Sequence, residues 1–336
     1  MMHQFNHRFA SYEHLPTGRR SHMLPENPVE CLGDPGYTVQ PCYYVPMREV
    51  GERLRERWPN KWLLGFREIT SAGLYRTTIY SVLPASGLSN KIPFVNFAPE
   101  SAPYALAFAA CMNSFALDFC ARQKLGGASF SFFIKRQLPV IPPSALSESP
   151  TWLGGAQLNA WVQTRVLELC YTAWDLEPFA CDCGYNAPPF RWDEERRFLI
   201  RCELDAAYFH LYGIERDDVD YIMETFPIVK RKDKAAHGHY RTKDTILEIY
   251  DEMAEAMKTG KPYQTRLDPP PGPPADAEGN FLPLPDWLPG QPRPANWPPH
   301  IHGPREVYDW AKANNIDWRT LLEPTSAASN HMRGKQ

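Results

Sequence analysis

The sequence predicts an α+β chain, and three observations carry that prediction. Short β-branched and apolar runs, separated by Gly, Ser and Pro, fill residues 61–97, as strands joined by turns do. Residues 104–124 are apolar on nearly every side, the composition of a helix buried all round. From residue 158 onward apolar side chains recur every three to four positions, so helix follows helix. The expected architecture is a recognition-type domain of short mixed strands on a buried helix (residues 1–145), a helical domain (146–262) and a Pro-rich extended tail (263–336).

Each element has its local reason. The first forty residues are polar, His-rich and broken by Gly and Pro, a loop or edge-strand composition. Residues 48–58 are charged and helical in character. Strands are expected at 61–66, 77–83 and 92–97, and the buried helix at 104–124, stopped by Gly126 and Gly127. In the helical part Leu158, Trp161, Val162, Val166, Leu169, Ala173 and Trp174 share one face. A second helix opens on Asp193, Glu194 and Glu195, acids that suit a helix N-terminus, and ends at Gly213. A third covers 217–226 and stops at Pro227. A fourth takes Thr242 as N-cap and Gly260 as terminator. Of the 34 prolines, 14 lie between Pro262 and Pro304, which makes that stretch polyproline-like and keeps it out of any core. One more short helix is expected at 306–313.

Composition narrows the function classes. With 336 residues, 43% hydrophobic and 13% aromatic, the chain has the means to bury a sizeable core. Lys plus Arg number 36 against 39 Asp plus Glu, a formal charge of -3, so a nucleic-acid partner would be held by local patches and not by a uniformly basic surface. No apolar run of membrane length and no signal-peptide pattern occurs, which points to a cytoplasmic protein that engages no membrane. The eight cysteines are scattered, with Cys181 and Cys183 the one close pair; that spacing is poor for zinc and suits free thiols. No metal site is expected.

Two basic regions stand out. Between Phe119 and Ser147 there is no acid, while Arg122, Lys124, Lys135 and Arg136 surround a loop containing Gly126, Gly127 and Ser129. Small residues let backbone N–H groups approach phosphate oxygens, and the cations add salt-dependent attraction. Phe130, Phe132 and Phe133 are expected to anchor this loop. The second region is Lys230, Arg231, Lys232, Asp233 and Lys234 with Arg241 and Lys243, six positive charges and one negative, which reads equally well as a solvated loop. Arg67 with Thr70, and Arg76, lie at strand edges and can read base edges or phosphates; an internal Arg–Glu ion pair is the plainer alternative. Catalytic patterns are missing. Asn186-Ala187-Pro188-Pro189-Phe190 approaches the Asn/Asp-Pro-Pro-Tyr/Phe motif of amino methyltransferases, but Ala187 interrupts it. No glycine-rich loop for S-adenosylmethionine, no phosphate-binding P-loop and no hydrolase motif is present.

Several blocks together resemble the region that follows the catalytic domain in large adenine-specific restriction-modification DNA methyltransferases, the type IIG-like enzymes and their phage-defence relatives. The blocks are residues 2–12 (MHQFNHRFASY), 62–70 (WLLGFREIT), 76–84 (RTTIYSVLP), 113–115, 122–127 (RQKLGG), 137–140, 188–193 (PPFRWD), 203–208 and 226–233 (FPIVKRKD). The resemblance spans about residues 2–260. It implies a target-recognition region that reads double-stranded DNA across from a methyltransferase domain and helps hold the strand whose adenine is extruded. It also implies that S-adenosylmethionine belongs to a catalytic partner and that no cofactor resides in this chain, because the sequence starts at Met1 where the family's recognition region starts. The expectation is a chain silent in catalysis by itself, docking a methyltransferase subunit or another restriction or defence protein through Phe5, Phe9 and Tyr12.

Two alternatives come from other classes. One is a residual adenine methyltransferase using residues 186–190 as a degenerate pocket. The other is a protein-interaction module whose Pro-rich tail, with Trp287, Trp297 and Trp310, docks a partner.

Overall fold

The computed structural model describes residues 1–16, 24–41, 43–55, 57–186 and 188–267. The Pro-rich tail after residue 267 with its expected short helix, together with Cys42 and Ala187, lies outside the described residues. In chain order the elements are α1 (Val29–Gly33), α2 (Met47–Leu54), β1 (Trp62–Phe66), β2 (Tyr80–Pro84), β3 (Phe94–Val95), α3 (Ala105–Asn113), α4 (Phe115–Lys124), α5 (Phe132–Lys135), α6 (Pro143–Leu146), α7 (Leu158–Cys170), α8 (Glu177–Asp182), α9 (Glu194–Leu211), α10 (Arg216–Glu224), α11 (Pro227–His237) and α12 (Arg241–Thr259). The fold is therefore α+β, with the strands falling where the short apolar runs place them.

The sheet order is β2-β1-β3, and both pairings are antiparallel. Central β1 is buried along its whole length, which is why Trp62, Leu63 and Leu64 run without polar alternation. Gly65 lets the sheet close: a Cβ there would lie 2.5 Å from Leu83 Cδ1. Asn113 at the end of α3 clamps β2, its Oδ1 accepting from Tyr80 N at 2.9 Å and its Nδ2 donating to Tyr80 O at 3.0 Å.

The buried helix expected over 104–124 is two helices. The backbone of Ser114 is extended (φ −69°, ψ 153°), and the segments on either side bend by 66°. Ser114 Oγ accepts from Leu117 N at 3.2 Å and so caps the second helix. Asp205 on α9 takes the first N–H of α4, Phe115 N, at 2.7 Å. Taken alone, no single helix among the described residues is long and apolar enough to cross a membrane.

The chain forms two compact units, and their division does not fall near residue 145. One unit contains Met1–Asn27, Val39–Cys170 and Glu194–Leu267. The strands and the later helices share its core: Tyr208 on α9 donates to Ala107 O on α3 at 2.6 Å, and the rings of Phe115 and Phe226 meet at 4.7 Å. The described part of the other unit is Pro28–Thr38 and Tyr171–Asp193. There Phe190 is buried, stacked on Tyr185 at 4.7 Å and edge-on to Tyr171.

Three further differences have local causes. Pro227 does end the helix before it, but it also opens α11, because proline is well tolerated in the first helical turn. The basic run 230–234 is thereby helical instead of a loop. Thr242 is not the N-cap of α12; Tyr240 holds that position, and Thr242 N donates to Asp233 Oδ2 at 2.6 Å. Residues 263–267, expected to start the extended tail, are pinned to α9. Buried Glu203 accepts from Arg165 Nη2 (2.6 Å), Tyr263 OH (3.0 Å), Thr265 Oγ1 (2.6 Å) and Arg266 N (3.0 Å). Gly260 ends α12 in the left-handed region (φ 72°) as its position implies.

Candidate nucleic-acid interface

The turn after β1 and the glycine loop meet in space. Thr70 N donates to Ala128 O at 3.1 Å and Phe130 N to Glu68 O at 2.8 Å, and Ile69 pairs with Ser129 as an isolated bridge. Gly126 and Gly127 are exposed, and a Cβ on either would meet nothing within 4 Å. Their backbone therefore faces open space with no side chain over it. Lys124, at the end of α4, is exposed with Gln137 Oε1 at 3.4 Å, and Arg136 is exposed just past α5. Phe132 and Phe133 stand beside them 60% and 78% exposed. The expected anchoring role belongs to fully buried Phe130; Phe133 offers its ring to solvent.

The stretch without acids acquires one from the sheet. Glu68 accepts from Ser129 Oγ at 3.3 Å and pairs with Lys91 at 3.6 Å. It is also the charge that supports protonated Lys135. Lys135 itself turns inward. Its Nζ is buried, lies 4.0 Å from the centre of the Phe66 ring and 4.1 Å from that of Phe130, and has no hydrogen-bond partner among the described residues. Burial pushes the amine down to about 8. A group so placed cannot touch a phosphate.

Thr70, Arg76 and Arg122 are also turned inward. Thr70 is 2% exposed and donates to Thr77 O at 2.9 Å. Arg76, 5% exposed, donates from Nε to Asp118 Oδ2 at 2.8 Å and from Nη2 to Asn113 O, and its guanidinium lies 3.8 Å over Phe115. Arg122 reaches the other oxygen of Asp118 at 3.1 Å, donates to Leu74 O at 2.8 Å and covers Phe226. The ion pair is thus Arg–Asp across α4, in place of the Arg–Glu pair considered from sequence. Burial lowers the pKa of both Arg67 and Arg122, while Asp118 holds Arg122 up. Arg67 is half-buried, and its charge acts on the Met1 amine and on His3.

The second basic run lies on α11. Lys230 pairs with Glu224 of α10, Arg231 is exposed, and Lys232 is exposed with Nζ 4.9 Å over the Tyr75 ring. Arg241 is paired with Glu195, and Lys243 with Asp220 and Glu224; five cations of the two regions remain outward, Lys124, Arg136, Arg231, Lys232 and Lys234. Among the expected docking residues Phe5 is buried, Phe9 is partly exposed and Tyr12 is 49% exposed. Phe5 also sits in the left-handed region (φ 56°), a strained backbone for an aromatic residue.

A cavity of about 50 Å³ adjoins these residues and was not foreseen from sequence. His3, Tyr75, Arg76, Phe115, Arg201 and Asp205 contribute to its wall. No group of three or more metal-ligating side chains occurs among the described residues. No protein-family model, curated protein or solved structure matches the chain.

Proposed function

We propose that this chain is a sequence-specific DNA-recognition module of an adenine-specific restriction-modification or phage-defence methyltransferase. It would act in the cytoplasm with a catalytic part that holds S-adenosylmethionine, as the sequence resemblance implies. The observation that carries the reading is the juxtaposition of exposed Lys124 and Arg136, the uncovered backbone of Gly126 and Gly127, and the solvent-facing rings of Phe132 and Phe133. Cations and bare amides suit phosphate oxygens, and exposed rings suit stacking against an unpaired base. Arg231 and Lys232 add positive charge along α11.

The test is duplex binding by the full chain. Lys124→Glu combined with Arg136→Glu reverses two charges on that surface and should weaken binding by at least about tenfold at physiological salt. Undiminished affinity in a variant that folds normally would remove this surface from the interface.

A further inference from the structure

The cavity between the N-terminal segment and helices α4, α9 and α12 has a combination of groups that the folded chain does not itself use. Arg201, half-buried on α9, makes no hydrogen bond or ion pair among the described residues. One turn further along α9, Asp205 is 5% exposed. Its Oδ1 accepts from Phe115 N at 2.7 Å, and its Oδ2 accepts no hydrogen bond among the described residues. A cation and a carboxylate oxygen thus line the cavity with hydrogen-bonding capacity that the fold leaves open, and neither is sealed away from an entering ligand.

The surrounding field favours an anion. His3, which also lines the cavity, is pushed down to about 3, first by burial and then by Arg201, Arg67, Arg76 and Lys232; no carboxylate is among the charges acting on it. Asp205 is raised to about 6 by burial while Arg76 and Arg201 hold it down. It is therefore largely ionised at neutral pH and available as an acceptor. The volume, about 50 Å³, holds a few waters at roughly 10–15 Å³ each, or one tetrahedral oxyanion.

We propose that this cavity binds a monoprotonated phosphate group, with Arg201 donating to its charged oxygens and Asp205 Oδ2 accepting its P–OH hydrogen. The pairing sets the ligand class. A sulfate dianion has no O–H to offer the carboxylate, and neither has a phosphodiester of a DNA backbone, so both face Asp205 with like charge. The group is inorganic phosphate, which keeps a P–OH at neutral pH; a phosphate monoester, with a second pKa of about 6, is mostly the O–H-free dianion there and faces Asp205 as sulfate does. This site is separate from the Lys124 and Arg136 surface and does not depend on the DNA reading.

Isothermal titration of the full chain at neutral pH with inorganic phosphate, deoxyadenosine monophosphate and sulfate tests it. Phosphate should bind at least about tenfold more tightly than sulfate, the worth of one charge-assisted hydrogen bond. Free phosphate should also bind more tightly than the mononucleotide, whose phosphate is mostly without an O–H at this pH; tighter binding of the mononucleotide would contradict the role given to Asp205. Arg201→Gln should lower phosphate affinity by roughly tenfold. Asp205→Asn keeps an oxygen for Phe115 N, so the fold is preserved, and it should erase the preference for phosphate over sulfate. No binding at about 10 mM phosphate, equal affinity for the two anions in the unaltered chain, or unchanged affinity in Arg201→Gln would overturn the proposal. Duplex binding, read separately on the same preparations, reports on the DNA reading alone.

Discussion

Asp118→Asn is the most informative single change in the core. Asp118 is fully buried between Arg76 and Arg122 and also accepts from Thr77 N at 3.0 Å. The two arginine bonds are charge-assisted, worth about 1.5–3 kcal/mol each in net terms. Removing one partner of a buried pair costs about 3–5 kcal/mol, because the remaining charge stays desolvated. Two features temper the loss: Phe115 lies 3.8 Å below one guanidinium and Phe226 3.9 Å below the other, and rings of this kind partly replace an anion. A destabilisation near the lower bound, about 3 kcal/mol, is therefore expected. Urea denaturation at neutral pH measures it as a shift in midpoint at constant slope. The folded variant should bind duplex DNA within about twofold of the unaltered chain, since both arginines face inward. A loss below about 1 kcal/mol would refute the buried-network account. So would a collapse of DNA affinity in a stable variant, because it would return Arg76 and Arg122 to the interface.

Two further predictions concern stability. Lys135 has its amine lowered from 10.5 to about 8, so the unfolded chain holds its proton more tightly than the fold. Lys135→Met should raise the melting temperature at pH 7, and the gain should shrink as pH rises through the window from about 8 to 10.5, where the native amine is already neutral. A gain that is constant across that window would contradict the burial. Gly65→Ala drives a methyl to 2.5 Å from Leu83 Cδ1 and 3.3 Å from Ile92 Cγ2 and should cost about 1–3 kcal/mol by overpacking; a neutral result in thermal melts would mean that the Leu83 side chain swings aside without cost.

Much of the fold is legible in the sequence, for identifiable reasons. β1 shows as an uninterrupted apolar run because it is central and covered on both faces. α12 shows because its apolar spacing is regular and glycine closes it. The break at Ser114 is hidden, since a serine inside an apolar run fits a continuous helix as well as a cap; only the carboxylate of Asp205, ninety residues away in sequence, decides between them. The inward turn of Arg76, Arg122 and Lys135 is hidden for the same reason, as each is enclosed by aromatics from distant elements. The exposure of the glycine loop follows from its small residues and turn composition, but which of its flanking cations face outward does not: the Lys135 amine is buried and its neighbour Arg136 exposed. The Arg201 and Asp205 pair is not legible in the sequence, because α9 also carries Glu194, Glu195, Arg196, Arg197 and Glu203 and nothing local singles the pair out.

On the proposed reading the chain holds DNA through a local cationic surface, and fluorescence anisotropy of a labelled duplex, titrated with the full chain over a series of salt concentrations, reads that surface out. If Lys124, Arg136, Arg231 and Lys232 each neutralise a phosphate, log affinity falls linearly with log salt with a slope of about −3 to −4, and Lys124→Glu with Arg136→Glu reduces that slope by about 2. A flat salt dependence, or a slope that the double variant leaves unchanged, would contradict the account.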